Sequence, residues 1–163
     1  MSSPSDPRYF RDVLGHYPTG VSIVTSVDED GARVGMTVGT FNSVSLTPPL
    51  VAFYPDRKSS TWARIAVAKR FCVNVLAFDQ EAVCRRFASR DADRFEGLAH
   101  SLSPAGLPII DDVVAWFDCD AYAVHEAGDH DIVLGEVRAF AVLRAVHPLL
   151  FHRGGYGRFS PIE

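Results

Sequence analysis

GMTVGTFNSVSLTPPL, residues 35–50, is the stretch on which the fold turns. It is short on charge and rich in hydroxyls. Met36, Val38, Thr40, Asn42, Val44 and Leu46 share one phase of a period-2 pattern; Thr37, Gly39, Phe41, Ser43 and Ser45 share the other. In an extended strand the first set mostly faces a core and the second lines a small polar groove. Gly39 in mid-strand marks a bulge, or the close approach of another backbone or a ligand. Thr47-Pro48-Pro49 then stops the ladder, because proline has no N–H to donate. Hydroxyls and free N–H groups beside a missing side chain suit a flat, polar, phosphorylated ligand. Taken alone, the stretch reads first as a plain half-buried strand with Ser and Thr outside.

Working outward, the residues on either side predict more strands. Residues 21–27 alternate with Val21, Ile23, Thr25 and Val27 on one face, and Asp28-Glu29-Asp30-Gly31 is a polar turn that leads back through Arg33. This is a β-hairpin with a slightly long loop. Residues 50–54 are an apolar run, expected as a strand buried on both faces. Residues 71–76 alternate again. Residues 114–124 and 131–143 form a second hairpin around Gly128-Asp129-His130, the later strand bending at Gly135. Residues 149–152 make a last strand before a glycine-rich tail.

About three short helices lie between the strands. Asp6-Pro7 reads as N-cap and first helical residue, with Phe10, Val13, Leu14 and Tyr17 as an apolar stripe. A second helix follows Asp56-Arg57-Lys58-Ser59-Ser60-Thr61, capped by Ser59 or Ser60. Its N-terminus offers unpaired N–H groups, and Lys58 and three hydroxyls stand beside it, so it suits a phosphate as well as plain capping. Asp79 is expected to cap a third helix that runs to about Ser89. Residues 90–108 read as a long loop, in which Arg94 and Phe95 form either a lid or packed surface. With hairpins predominating and no βαβ repeat, a closed antiparallel barrel with helices outside fits best.

Composition sets the outer limits. The 163 residues suit one domain with its own core. Hydrophobic residues are 47% and charged residues 22%, which is globular composition. A net charge of −4 speaks against a nucleic-acid partner. No apolar run reaches the ~20 residues of a membrane span, and MSSPSDPRYF has no leader-like apolar core. Cys72, Cys84 and Cys119 form neither a CxxC pair nor a disulfide framework, so a reducing cytoplasm is the expected compartment.

Familiar chemical motifs are mostly missing. Residues 15–20 resemble the front of a phosphate loop, but Val21-Ser22 stands where Lys and Ser/Thr are needed. No G-x-S-x-G elbow supports a hydrolase triad. The histidine pairs 125/130 and 147/152 lack a Cys or Glu cluster to complete a metal shell, so no metal is expected. His130 sits in a turn between two acids, either as a solvated histidine or as part of a site.

Read together, Pro18-Thr19-Gly20-Val21, GMTVGTFNSVSLTPPLV, KSSTW, FCVNVL, GDHDIVLGEV and FHRGGYG fall in an order that resembles the flavin reductase family. These are small reductase components of two-component flavin-dependent monooxygenases, with the FMN-binding split-barrel fold. The resemblance runs from about Tyr9 to Tyr156, and GDHDIVLGEV is its most specific part. It implies a homodimeric, six-stranded antiparallel split β-barrel that binds FMN or FAD, with NADH or NADPH as reductant. Reduced flavin would then pass to a separate monooxygenase. By position, Met36, Thr37, Val38, Gly39, Thr40 and Ser43 would hold the flavin's ribityl and phosphate portion, together with Lys58, Ser59, Ser60 and Thr61. His130 would face the nicotinamide as the catalytic residue, and Arg153 and Tyr156 would close that side.

Two departures stand out. Gly39-Thr40 occupies a place where the family commonly has Asn-Ser, and Gly154-Gly155-Tyr156 replaces a frequent G-R-Y, moving the arginine to Arg153 or Arg158. Hydride passes directly from nicotinamide to flavin, so the protein needs a cradle and no nucleophile. A non-catalytic flavin carrier and a split-barrel oxidase with its own small substrate are the alternatives.

Overall fold

The computed structural model describes residues 6–89 and 93–162. Arg90, where the long loop was expected to begin, and the residues before Asp6 lie outside them. Helix α1 (Pro7–Leu14) starts as expected: the Asp6 carboxylate accepts from the N–H groups of Arg8 and Tyr9, with Pro7 in the first turn. Strands β1 (Thr19–Gly20), β2 (Ser22–Val27), β3 (Arg33–Val38), β4 (Asn42–Leu46) and β5 (Pro49–Phe53) follow. Then come α2 (Ser60–Ala68), β6 (Arg70–Val75) and α3 (Glu81–Ala88). The chain ends through β7 (His100–Leu102), β8 (Pro108–Ile110), β9 (Ala115–Ala127), β10 (His130–Val142), β11 (Leu149–His152) and β12 (Gly155–Arg158).

The main sheet is antiparallel throughout, in the order β3-β2-β6-β9-β10-β5-β4. Its seven strands exceed the six expected, because residues 35–50 are not one strand. β3 stops at Val38, the chain bends through residues 39–41, and β4 pairs with β5 at the opposite edge. The Thr40 hydroxyl holds the bend by accepting from the Tyr54 N–H at 2.9 Å. The core-facing phase therefore ends with Val38; Val44 is 51% exposed and Leu46 91%. The ladder also resumes sooner than expected. Thr47 and Pro48 form a turn, and Pro49 opens β5 opposite Leu46, at a strand start where proline is tolerated.

Both ends of this sheet feed one core. Val34 and Val38 of β3 and Val51 and Phe53 of β5 share a cluster with Phe71, Val73, Cys119 and Val133. The sheet thus curls into a barrel, and α2 adds Trp62 and Ile65 to its interior. The two edge strands do not bond to each other, so the barrel remains split. Where β10 bends, a Cβ on Gly135 would run into the Phe71 ring, and the β9–β10 register shifts at that residue.

A second core covers the other face of β2 and β6. Val21, Ile23, Cys72 and Leu76 pack there against Cys84 and Phe87 of α3, together with Phe95, Ile109 and Ile110. Burial on both faces explains why β2 is buried almost without alternation. The expected cap on α3 is corrected: Gln80 holds the N-cap position without a side-chain capping bond, its amide accepting from the Ala77 N–H and donating to the Asp111 carbonyl instead. Asp79 instead pairs with Arg144 at 2.9 Å, which holds its carboxyl below the usual range. The described part of the 90–108 loop contains the β7–β8 hairpin, and Phe95 is core, set edge-on to Phe87 at 5.1 Å. No helix among the described residues is long and apolar enough to cross a membrane.

Candidate functional site

The start of α2 carries a cluster of hydroxyl and charged side chains. Ser59 is extended, and its hydroxyl accepts from the Trp62 N–H at 3.2 Å. That satisfies one of the orphan donors of the first turn and leaves others facing out. A depression of about 470 Å³ opens there, lined by Asp56, Lys58, Ser59, Ser60, Thr61 and Arg94. Asp56 turns one carboxylate oxygen back onto the Lys58 N–H at 2.8 Å. The Ser59 cap therefore leaves the Ser60 and Thr61 hydroxyls lining the depression.

Arg94 is the residue whose role the sequence did not disclose. It is no lid. Its Nη1 donates to the Gly35 carbonyl at 2.7 Å and to the Thr61 hydroxyl at 3.3 Å, and Nη2 donates to the Ser89 carbonyl at 2.7 Å. Its Nε is buried and has no partner among the described residues. Its partners among the described residues are neutral oxygens, and its guanidinium borders the depression beside Asp56 and Lys58. Such a group favours an incoming anion. Contacts 59 and 33 residues away in the chain leave no local signal.

Residues 36–43 flank this site in a mixed way. Val38 is buried and Met36 packs against the barrel core, which leaves their backbone for any ligand. β3 is an edge strand, so its outward N–H and C=O groups are open, the Gly35 carbonyl being taken by Arg94. The Thr37 hydroxyl donates to the Cys84 carbonyl of α3 at 3.1 Å. Gly39 lies in the bend after β3 and not, as expected, in mid-strand, and it is approached by a side chain of β1: a Cβ would stand 3.1 Å from the Thr19 hydroxyl. Thr19 is thus a further wall of the bend. Ser43 is exposed on β4, at the opposite sheet edge from Thr37, and the two edges meet only through residues 39–41.

His130 opens β10. Its Nδ1 shares a hydrogen bond with Asp129 Oδ1 at 2.7 Å, and its side chain is 45% exposed. That bond, with the imidazole's charge behind it, holds the Asp129 carboxyl below its ordinary range. His130 pairs across a single bridge with Asp56, and the Arg57 N–H donates to the Asp129 carbonyl at 3.0 Å. The histidine turn is thereby fastened to the segment that runs into α2.

Arg153 and Tyr156 stand elsewhere in the chain. The expected tail is a strand, β12, paired with β11. The Tyr156 hydroxyl lies 3.2 Å from Cys84 Sγ, and its ring sits under the Arg85 guanidinium and beside Phe151. The bond to Cys84 and burial push the phenol up to about 12. The Arg153 N–H donates to the Gly15 carbonyl at the end of α1. Among the described residues, no hydrogen bond or ring contact joins either residue to His130.

Cys72, Cys84 and Cys119 are free and buried. Burial pushes the Cys119 thiol up to about 12, so it is no thiolate near neutral pH. No three His, Cys, Asp or Glu side chains gather to hold a metal among the described residues.

The chain is similar to known proteins over nearly its whole length. A family model described as flavin reductase like domain matches residues 14–160. The chain is 58% identical over 162 residues to a flavin reductase of Pseudomonas putida, covering 99% of this chain and 95% of that protein. It is 46% identical over 156 residues to the reductase subunit HsaB of a flavin-dependent monooxygenase from Rhodococcus jostii, covering 96% and 80%. Among solved structures, an NADH:FAD oxidoreductase of Streptomyces globisporus in complex with NAD and FAD fragments superposes with a TM-score of 0.92 at 36% identity. That match covers 99% of this chain and 97% of the other.

Proposed function

The chain belongs to the flavin reductase like domain family, and from that premise we propose that it is an NAD(P)H:flavin oxidoreductase serving a separate flavin-dependent monooxygenase. One observation carries the reading. The bridge between Asp56 and His130 sets a half-exposed histidine beside a helix terminus suited to phosphate. The bound flavin, FMN or FAD, would supply hydride acceptance; NADH or NADPH would supply the hydride. Arg94, Lys58 and the α2 terminus bind the phosphate. Edge-strand backbone at residues 36–38 and the bend at residues 39–40 orient the ribityl chain. His130 positions the nicotinamide and orders the donor against the flavin face.

Mixing the protein with NADH and excess FMN tests this directly. Catalytic loss of nicotinamide absorbance is expected. A single stoichiometric reduction would indicate a carrier, and a requirement for an added organic substrate would indicate an oxidase.

A partner subunit completes the site in this reading. The α1 stripe is uncovered: Phe10, Val13 and Leu14 are at least half exposed, and no residue of the helix is buried. Phe140 and Val142 of β10 are each 70% exposed. A second copy would cover such surface by an isologous contact and bring its own Arg153 and Tyr156 hairpin toward His130. The protein is expected to scatter light as a C2 dimer at micromolar concentration. A particle of 17.9 kDa would contradict this.

The cradle makes its own prediction. In Gly39→Val the new side chain presses on Thr19 and fills the bend where the ribityl chain is placed. FMN affinity is expected to drop by at least ~10-fold, or ~1.4 kcal/mol. Unchanged affinity in a folded variant would place the flavin elsewhere.

A further inference from the structure

The residue after the histidine is tied down in a way that the proposed chemistry does not require. On β10 the Asp131 side chain is 14% exposed, against 45% for His130, as strand alternation dictates. Asp131 Oδ2 accepts from Trp62 Nε1 at 2.8 Å, and Oδ1 lies 3.4 Å from Arg57 Nε. The Asp131 N–H donates to the Pro55 carbonyl at 3.0 Å. Trp62 is immobile: it is 5% exposed, and its ring meets Phe53 edge-on at 5.7 Å. Its own N–H is the donor to the Ser59 cap. A continuous path therefore runs from the first turn of α2 through Trp62 and Asp131 to His130.

We propose that Asp131 is a positioning residue for hydride transfer, fixing the His130 hairpin against the phosphate-binding end of α2 through Trp62. The inference rests on the flavin reductase reading. A partly buried carboxylate has a stronger hold on an indole N–H than a neutral acceptor has. Without it the hairpin is held to this segment by the backbone bonds at Pro55 and Asp129 and by the exposed Arg57–Glu126 pair at 2.7 Å. With the hairpin loosened, flavin still finds its anchor, but the nicotinamide is held less well against it.

The test is a double-mutant cycle read by anaerobic stopped-flow reduction with FMN saturating. Asp131→Ala is expected to slow hydride transfer by ~10-fold while FMN affinity stays within ~3-fold. Asp131→Asn, whose amide oxygen still accepts from Trp62, should recover to within ~3-fold of the wild type. In a His130→Ala background, Asp131→Ala should cost less than ~2-fold more, because the two changes disable one device. Should Asp131→Ala not fold, Trp62→Phe removes the indole N–H together with part of the ring volume while keeping an aromatic side chain, and carries the same cycle with thermal unfolding followed alongside. Additive losses, an unchanged rate, or FMN affinity falling in step with the rate would overturn the proposal. A wild-type chain that does not turn over NADH with FMN overturns the flavin reductase reading as well. Normal wild-type turnover with unaffected Asp131 variants overturns this inference alone.

Discussion

Arg94→Ala should weaken FMN binding by ~100-fold, about 2.7 kcal/mol, and leave riboflavin binding within a few-fold. The two ligands differ only by the phosphate, so their ratio isolates the anion site from the rest of the cradle. The magnitude follows from the state of the guanidinium. Among the described residues it bonds to neutral oxygens and holds a buried Nε without a partner. A dianion arriving there gains charge-assisted bonds, each worth ~1.5 to 3 kcal/mol. Lys58 contributes less, because it lines the depression from an exposed position where water and salt screen it. Arg94 also ties the Gly35 carbonyl to the Ser89 carbonyl, so thermal unfolding must be followed alongside. Arg94→Lys keeps the charge and should restore part of the FMN preference. Equal losses for FMN and riboflavin would reduce Arg94 to a strut, and no loss for either would move the phosphate away from α2.

The balance of local and distant causes explains what could be read from the chain. α1 was legible from Asp6-Pro7 and its stripe, α2 from Ser59, the first hairpin from Asp28 to Gly31, and the β10 bend from Gly135. Each signal lies within a few residues of its effect. Asp79 failed as a cap because Arg144, 65 residues on, competes for its carboxylate. Residues 35–50 kept their period-2 pattern across a break, because the bend at residues 39–41 depends on Thr19 and Tyr54, which no window around it contains. The site divides in the same way. The hydroxyls at the start of α2 and the His130 turn are contiguous motifs. Arg94 reaches them only through the tertiary fold. The Tyr156 hairpin packs against α3 through Cys84, out of contact with His130 in the single chain. Period and capping rules carry no information of that kind.

His130→Ala tests the chemistry. If His130 positions the nicotinamide, the variant should bind FMN nearly as the wild type does, because Ser59, Lys58 and Arg94 are untouched. The apparent KM for NADH should rise, and hydride transfer should slow by ~10- to 100-fold, a loss of ~1.4 to 2.7 kcal/mol in transition-state stabilisation. Stability should hardly change: the imidazole is nearly half exposed, and its hydrogen bond is to an exposed Asp129. The hairpin itself stays docked, since the Arg57 N–H and the Asp131 side chain hold it independently of the imidazole. Two other results are informative. Unaltered kinetics would make His130 a solvated turn residue. Lost FMN binding with NADH parameters preserved would put it on the flavin side and reverse the assignment. Stopped-flow reduction without oxygen, with FMN held saturating and NADH varied, separates the three, because it reads nicotinamide affinity and the hydride step from one set of traces.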